Sequence, residues 1–157
     1  MDGDTGTTAK ASHPTVEELV DYSIQASHAR ATDHILIAGR KTLGILFGVC
    51  HRGFFHANCR IAANRPHAGE RSADSLWILN TQNMAELRTL IAECGRDLRP
   101  DGTLVVGLNP QISMDGAARL KDVLVKCGFC PGDEFHPAAN VFLLCARKQN
   151  ARIALAA

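Results

Sequence analysis

Apolar residues recur along this chain with two alternating periods, one of three to four residues and one of short unbroken runs. Thr15 and Glu18 have the spacing of a capping box, in which each side chain satisfies the other residue's free amide. Val16, Leu19, Val20 and Ile24 then share a face and predict a helix over residues 16–30. Residues 34–38 (HILIA) are a short apolar run behind a charged break, the pattern of a strand buried on both faces. Residues 42–50 read as a short apolar helix with Gly44 and Gly48 close to their neighbours, and residues 54–59 as a second strand. Residues 60–73 are polar, with Pro66 and Gly69, and read as a loop.

A third buried run, residues 74–80 (DSLWILN), leads into Asn83 and Glu86, spaced as helix cap and third helical position. Met84, Leu87, Ile91, Cys94 and Leu98 continue as one stripe, with Pro100 predicted to end the helix and Gly102 to supply a positive φ in the turn. Residues 103–108 (TLVVGL) are another buried strand. Leu120, Val123, Leu124 and Cys127 mark a further helix, closed by Gly128 in the left-handed region. Residues 134–136 and 141–146 fit two last strands, paired antiparallel. Strands alternating with helices predict an α/β sheet layered between helices.

Composition narrows this picture. The chain has 157 residues, 46% apolar and 21% charged, with a net charge of +1, enough for one globular domain with one core. The expected division is an N-terminal arm at 1–13, a domain at 14–150 and a tail at 151–157. So small a net charge and so few aromatics argue against a nucleic-acid-binding face. No run reaches the eighteen or so apolar residues of a membrane span. The polar first residues do not form a secretory signal, and six cysteines then imply reduced thiols in a cytoplasmic protein.

Several pieces resemble class I S-adenosylmethionine-dependent methyltransferases. That family ends a helix in Leu-Arg/Lys-Pro-Gly-Gly before its fifth strand, and here Leu98-Arg99-Pro100-Asp101-Gly102 precedes TLVV. It follows with a helix ending in Gly-Phe, here within residues 124–129 (LVKCGF), and a closing hairpin, here EFHPAANVFLLCARK. The resemblance implies a three-layer Rossmann-like fold, a mostly parallel sheet with a C-terminal antiparallel hairpin. Only about 14 residues separate the second strand from residue 74, so the family's third strand is expected to be missing, since one βαβ unit takes roughly thirty residues.

The resemblance also implies a donor site. Its Gly-x-Gly-x-Gly loop corresponds to residues 38–44 (AGRKTLG), with Gly39 and Gly44 as the outer members but Arg40 and Lys41 where small residues are expected. The acid that binds ribose at the end of the second strand is replaced by Asn58 and its neighbours. Asn80, after the next strand, stands where amino-directed members carry Asn/Asp-Pro-Pro-aromatic, without the prolines or the aromatic. Gly39, Arg40, Gly44, Asn58 and Asn80 are thus the residues the resemblance implies for S-adenosylmethionine, with Asn80 the catalytic candidate.

Other groupings are weaker. Cys50, His51, His56 and Cys59 are ligand types that zinc prefers, but a strand sends His56 and Cys59 to opposite faces. Cys127 and Cys130 form a C-x-x-C at a helix C-terminus, where the dipole disfavours a thiolate, so a structural role is expected and no metal. Arg40, Lys41 and Arg52 are solvated loop charges or partners for an anion near the first strand's end. His13, His28 and His34 have no metal spacing.

Two functions remain open. One is a methyltransferase-like domain with a degraded cofactor site, a pseudoenzyme that binds or regulates through protein contacts, as a homodimer or with another protein. The other is an active methyltransferase of unknown acceptor. The departures at the donor positions favour the first, and an edge strand of few charges (FFHANC) favours self-association.

Overall fold

The structure, a computed structural model, describes residues 14–60, 72–108, 114–138 and 141–150. The expected arm, the tail and residues 61–71 of the expected loop lie outside the described residues.

Helix α1 (Val16–Ser27) opens on the expected capping box, with Thr15 Oγ1 accepting from the Glu18 amide at 3.2 Å and Glu18 Oε2 from the Thr15 amide at 3.1 Å. It ends three residues before the expected boundary because His28 turns left-handed, at φ 51°. Strand β1 (Ile35–Gly39) and helix α2 (Thr42–His51) follow. Strand β2 (Ala57–Cys59) is half the expected length: Phe54 is buried ahead of it and donates its amide to Val49, so residues 54–56 belong to the turn out of α2.

Strand β3 (Ala73–Leu79) leads to helix α3 (Met84–Cys94). Asn83 caps α3 as predicted, its Oδ1 accepting from the Glu86 amide at 2.8 Å. The helix does not reach Pro100. It gives way to a single 3-10 turn (Gly95–Asp97), and Leu98 already belongs to strand β4 (Leu98–Leu108). Leu98 pairs with Ala73 and Thr103 with Ser75, so the four residues 99–102 stand opposite Asp74 alone, three more than the pairing needs, and form a bulge. Within the bulge Asp101, not Gly102, takes the positive φ, at 64°. Gly102 is needed for space, since a Cβ there would lie 2.8 Å from the Arg99 carbonyl.

Helix α4 (Met114–Lys126) ends at Gly128, left-handed at φ 86° as predicted. Strands β5 (Phe129–Ala138) and β6 (Val141–Lys148) are longer than predicted and pair antiparallel.

The six strands form one sheet in the order β2-β1-β3-β4-β6-β5. The four strands β2, β1, β3 and β4 run parallel, and β6 is antiparallel to both β4 and β5. Side chains alternate between two apolar layers. Leu76, Ile78, Leu104 and Val106 pack with Leu87, Ile91, Leu120 and Leu124 beneath α3 and α4. Trp77, Leu79, Val105 and Leu143 pack with Val20, Ile45 and Val49 beneath α1 and α2. Gly48 permits the close approach of those two helices, its missing Cβ lying 3.0 Å from Val20, whereas Gly44 leaves ordinary space beside Val16. This is the helix–sheet–helix sandwich the alternation predicted. Among the described residues β2 is the outer strand on its side, and no helix is long and apolar enough to cross a membrane.

Candidate functional site

In a doubly wound sheet, ligands bind outside the carboxyl ends of the strands, where the order reverses. Here that point lies between β1 and β3, because β1 is followed by β2 on one side and flanked by β3 on the other.

The backbone is tightly constrained at this point. Gly39 has φ 113°, and a Cβ on it would lie 1.9 Å from the carbonyl oxygen of Leu79. That same oxygen accepts the Arg40 amide at 3.3 Å. Only Arg40 and Lys41 connect β1 to α2, and Lys41 turns left-handed at φ 56° to start the helix, with no side-chain cap. Across the gap Asn80 is also left-handed, at φ 58°, and its Nδ2 donates to the Arg40 carbonyl at 3.3 Å. Arg40 Nε meets Glu86 Oε1 at 3.2 Å, and Glu86 Oε2 accepts the Gln82 amide at 3.0 Å. These contacts, the Gln82 amide first and Arg40 second, hold the Glu86 carboxyl below the usual range. The switch point is therefore spanned by a chain of polar contacts running from Arg40 to Asn80 and from Arg40 through Glu86 to Gln82.

Beside this bridge, toward β4 and β6, lies a cleft of about 650 Å³. Gly107, Leu79, Val141 and Leu143 form its apolar wall, Pro14 and Leu19 reach it from the start of α1, and Arg40, Lys41 and residues 80–83 form its polar side. Thr81 is buried in this lining, and its hydroxyl has no hydrogen-bond partner among the described residues.

Of the five residues implied for a cofactor, the cleft brings together Arg40 and Asn80. Gly39 is packed under Leu79, Gly44 is exposed on α2, and Asn58 is exposed on β2. Arg60, next after β2, turns away to pair with Asp97 at 2.7 Å and to donate to the Glu93 carbonyl. Arg52 is likewise engaged elsewhere, tying α2 to Glu17 and Asp21 of α1, both at 2.6 Å. The sequence did not single out Thr81 or the α1 contribution. Thr81 is an ordinary polar residue in a linker, and nothing in its neighbours marks it as buried.

The remaining groupings are local. Cys59 donates to the Thr42 carbonyl, the His34 and His56 rings lie 5.0 Å apart, and Cys127 and Cys130 are both exposed beside the buried Phe129. Among the described residues no three His, Cys, Asp or Glu side chains gather as a metal site.

No protein-family model matches this chain, and no curated protein does. Solved structures match well. The amino pentose methyltransferase CalS10 of Micromonospora echinaspora, solved with S-adenosylmethionine, aligns with a TM-score of 0.60 at 11% identity over 87% of this chain and 92% of its own. The 1,6-didemethyltoxoflavin-N1-methyltransferase of Burkholderia thailandensis, solved with 1,6-didemethyltoxoflavin and S-adenosylhomocysteine, gives 0.57 at 15% over 87% and 79%. A protein-(glutamine-N5) methyltransferase of Alicyclobacillus acidocaldarius gives 0.56 at 13% over 87% and 94%. Together with the sheet order and the closing hairpin, these alignments show that the chain has the class I methyltransferase-like, Rossmann-like fold.

Proposed function

We propose that this chain is a methyltransferase-like domain with a degraded donor site, a non-catalytic binding or regulatory protein that works through protein contacts. The observation that carries the reading is the polar bridge at the switch point, where Arg40 bonds both Asn80, through its carbonyl, and Glu86, through its guanidinium. S-adenosylmethionine, when bound, supplies a methyl group on a cationic sulfur. The residues at the end of β1 do not fit it. The bareness of Gly39 is used by the Leu79 carbonyl, a guanidinium stands in the loop, and residues 57–60 at the end of β2 offer no carboxylate.

Contacts with a second copy are the form this function takes. Leu43 and Phe47 lie one turn apart on α2 and are 60% and 63% exposed, and Phe55, just beyond the helix, is 77% exposed. A helix this apolar ordinarily buries most of its surface. Edge strand β2 lies beside it, and a net charge of +1 offers little repulsion between copies. Six free cysteines support a reducing compartment such as the cytoplasm.

The second reading is an active S-adenosylmethionine-dependent methyltransferase of unknown acceptor. It is favoured by the likeness to CalS10 and the didemethyltoxoflavin methyltransferase, solved with S-adenosylmethionine and S-adenosylhomocysteine respectively, and by an open cleft beside the bridge. Titration calorimetry with S-adenosylhomocysteine separates the two. No heat of binding at millimolar ligand is expected, and a micromolar dissociation constant would overturn the proposal.

A further inference from the structure

We infer that β2 pairs antiparallel with β2 of a second copy across a two-fold axis at Asn58, joining two six-stranded sheets into one. This rests on the self-contact proposed above and names the atoms that make it. The hydrogen bonds already formed fix which groups remain free. Ile35 donates its amide to the His56 carbonyl at 3.1 Å, and Arg60 donates its amide to the Ile37 carbonyl at 2.8 Å. Residues 56, 58 and 60 thus turn their backbone groups toward β1. By alternation Ala57 and Cys59 turn theirs outward, where no described strand meets them. An antiparallel copy sets Ala57 of one chain opposite Cys59 of the other, and each such pair exchanges both hydrogen bonds. Asn58, whose side chain is exposed, then meets its own mate on the axis.

The two outer strands among the described residues differ in the features that govern pairing. On β5, Pro131 and Pro137 lack amides, two register shifts break the ladder, and Asp133 and Glu134 add charge, all of which discourage a further strand. β2 has none of these devices. Residues 53–59 hold no Lys, Arg, Asp, Glu or Pro, and the register with β1 is unbroken. The next charge, Arg60, is already held by Asp97. So neutral an edge offers nothing to recruit an acidic or a basic partner, whereas an identical strand matches it group for group about a two-fold axis. Helix α2 is tied to the same strand, Cys59 Sγ donating to the Thr42 carbonyl at 3.4 Å, and it carries the exposed Leu43 and Phe47. A strand of three residues pairs weakly alone, and these side chains with Phe55 supply the apolar contact that a stable dimer needs.

Sedimentation velocity on the full chain tests the axis. Asn58→Lys and Asn58→Asp each set like charges opposite one another and are expected to weaken the dimer a fewfold, while an equal mixture of the two should associate more tightly than either alone. Ala57→Pro, which removes an outward amide and no bond to β1, should shift the protein to monomer, with melting curves checking that each variant is folded. In a Cys127→Ser, Cys130→Ser background, Asn58→Cys should give a disulfide-linked dimer with oxidised glutathione, because residues facing on the axis have Cα atoms about 4.5 Å apart. Glu93→Cys, on α3, should not. A mixture no tighter than its components, a dimer that persists in Ala57→Pro, or cross-linking of Asn58→Cys no faster than of Glu93→Cys would each overturn the pairing. If association is nevertheless lost in Phe47→Glu, the self-contact proposed above stands without it. A monomer at every concentration would sink both, and titration with S-adenosylhomocysteine bears on the donor site alone.

Discussion

The carbonyl oxygen of Leu79 occupies the space that a β-carbon on Gly39 would need, 1.9 Å from its ideal position. The first glycine of the loop is thus demanded by the meeting of β1 and β3 at the switch point, and by a φ of 113° that other residues rarely adopt. Gly39→Ala is expected to cost about 2–4 kcal/mol in urea unfolding, from backbone strain and a displaced strand end. Gly44→Ala, in the other outer position of the motif, should be neutral or stabilising by up to about 1 kcal/mol, since its Cβ meets only Val16 at ordinary distance. Equal costs at the two positions would contradict this division.

Alkaline pH should weaken the fold. Burial raises the Cys59, Cys94 and Cys145 thiols above their ordinary value of 9.0. The unfolded chain then releases these protons first, so their contribution is complete below pH 9.0 and lost as pH rises through the folded values. Lys148 acts in the opposite sense. Burial lowers its pKa below 10.5, and between that folded value and 10.5 the unfolded state holds more protons, which favours folding as pH rises. Three thiols oppose one amine, so urea midpoints are expected to fall between about pH 8 and about pH 10, and to fall less in Cys94→Ala. A flat profile in the unaltered protein would refute it.

Arg60 holds the end of the outer strand to the end of α3 through Asp97 and the Glu93 carbonyl. Both partners of the ion pair are partly shielded, at 19% and 24% exposure. Arg60→Met should cost about 1 kcal/mol, and the loss should shrink in high salt. Hydrogen exchange at Asn58 and Cys59 should rise more than in β3, which is held on both sides.

Self-association should depend on the exposed face of α2. Phe47→Glu is expected to leave the melting temperature nearly unchanged, as a surface change does, while abolishing any concentration dependence in sedimentation velocity. If the unaltered protein sediments as a monomer at every concentration, the α2 face is not a self-contact.

Layering was readable from the sequence because it follows from periodicity alone. Leu76 and Ile78 face one way and Trp77 and Leu79 the other, as a doubly buried run must. The segment after α3 was harder. Leu98 follows Cys94 by four residues, so it extends the helical stripe by spacing, yet it lies in β4 opposite Ala73. The chain leaves the helix early at Gly95, where the Phe129 ring packs 3.2 Å from the place of a Cβ. That contact joins residues far apart in sequence, and Pro100 marked only the bulge. At the site, the sequence located Arg40 and Asn80 but not their mutual bond, because a left-handed Asn80 has no signature in its neighbours.

The single tryptophan, Trp77, is fully buried in β3, with its indole N–H on the Ser75 hydroxyl at 3.0 Å. It faces the layer under α1 and α2 and not the one under α3 and α4. Its fluorescence consequently monitors one half of the molecule: emission should redden when α1 or α2 peels away, and stay blue through any fraying confined to the opposite flank.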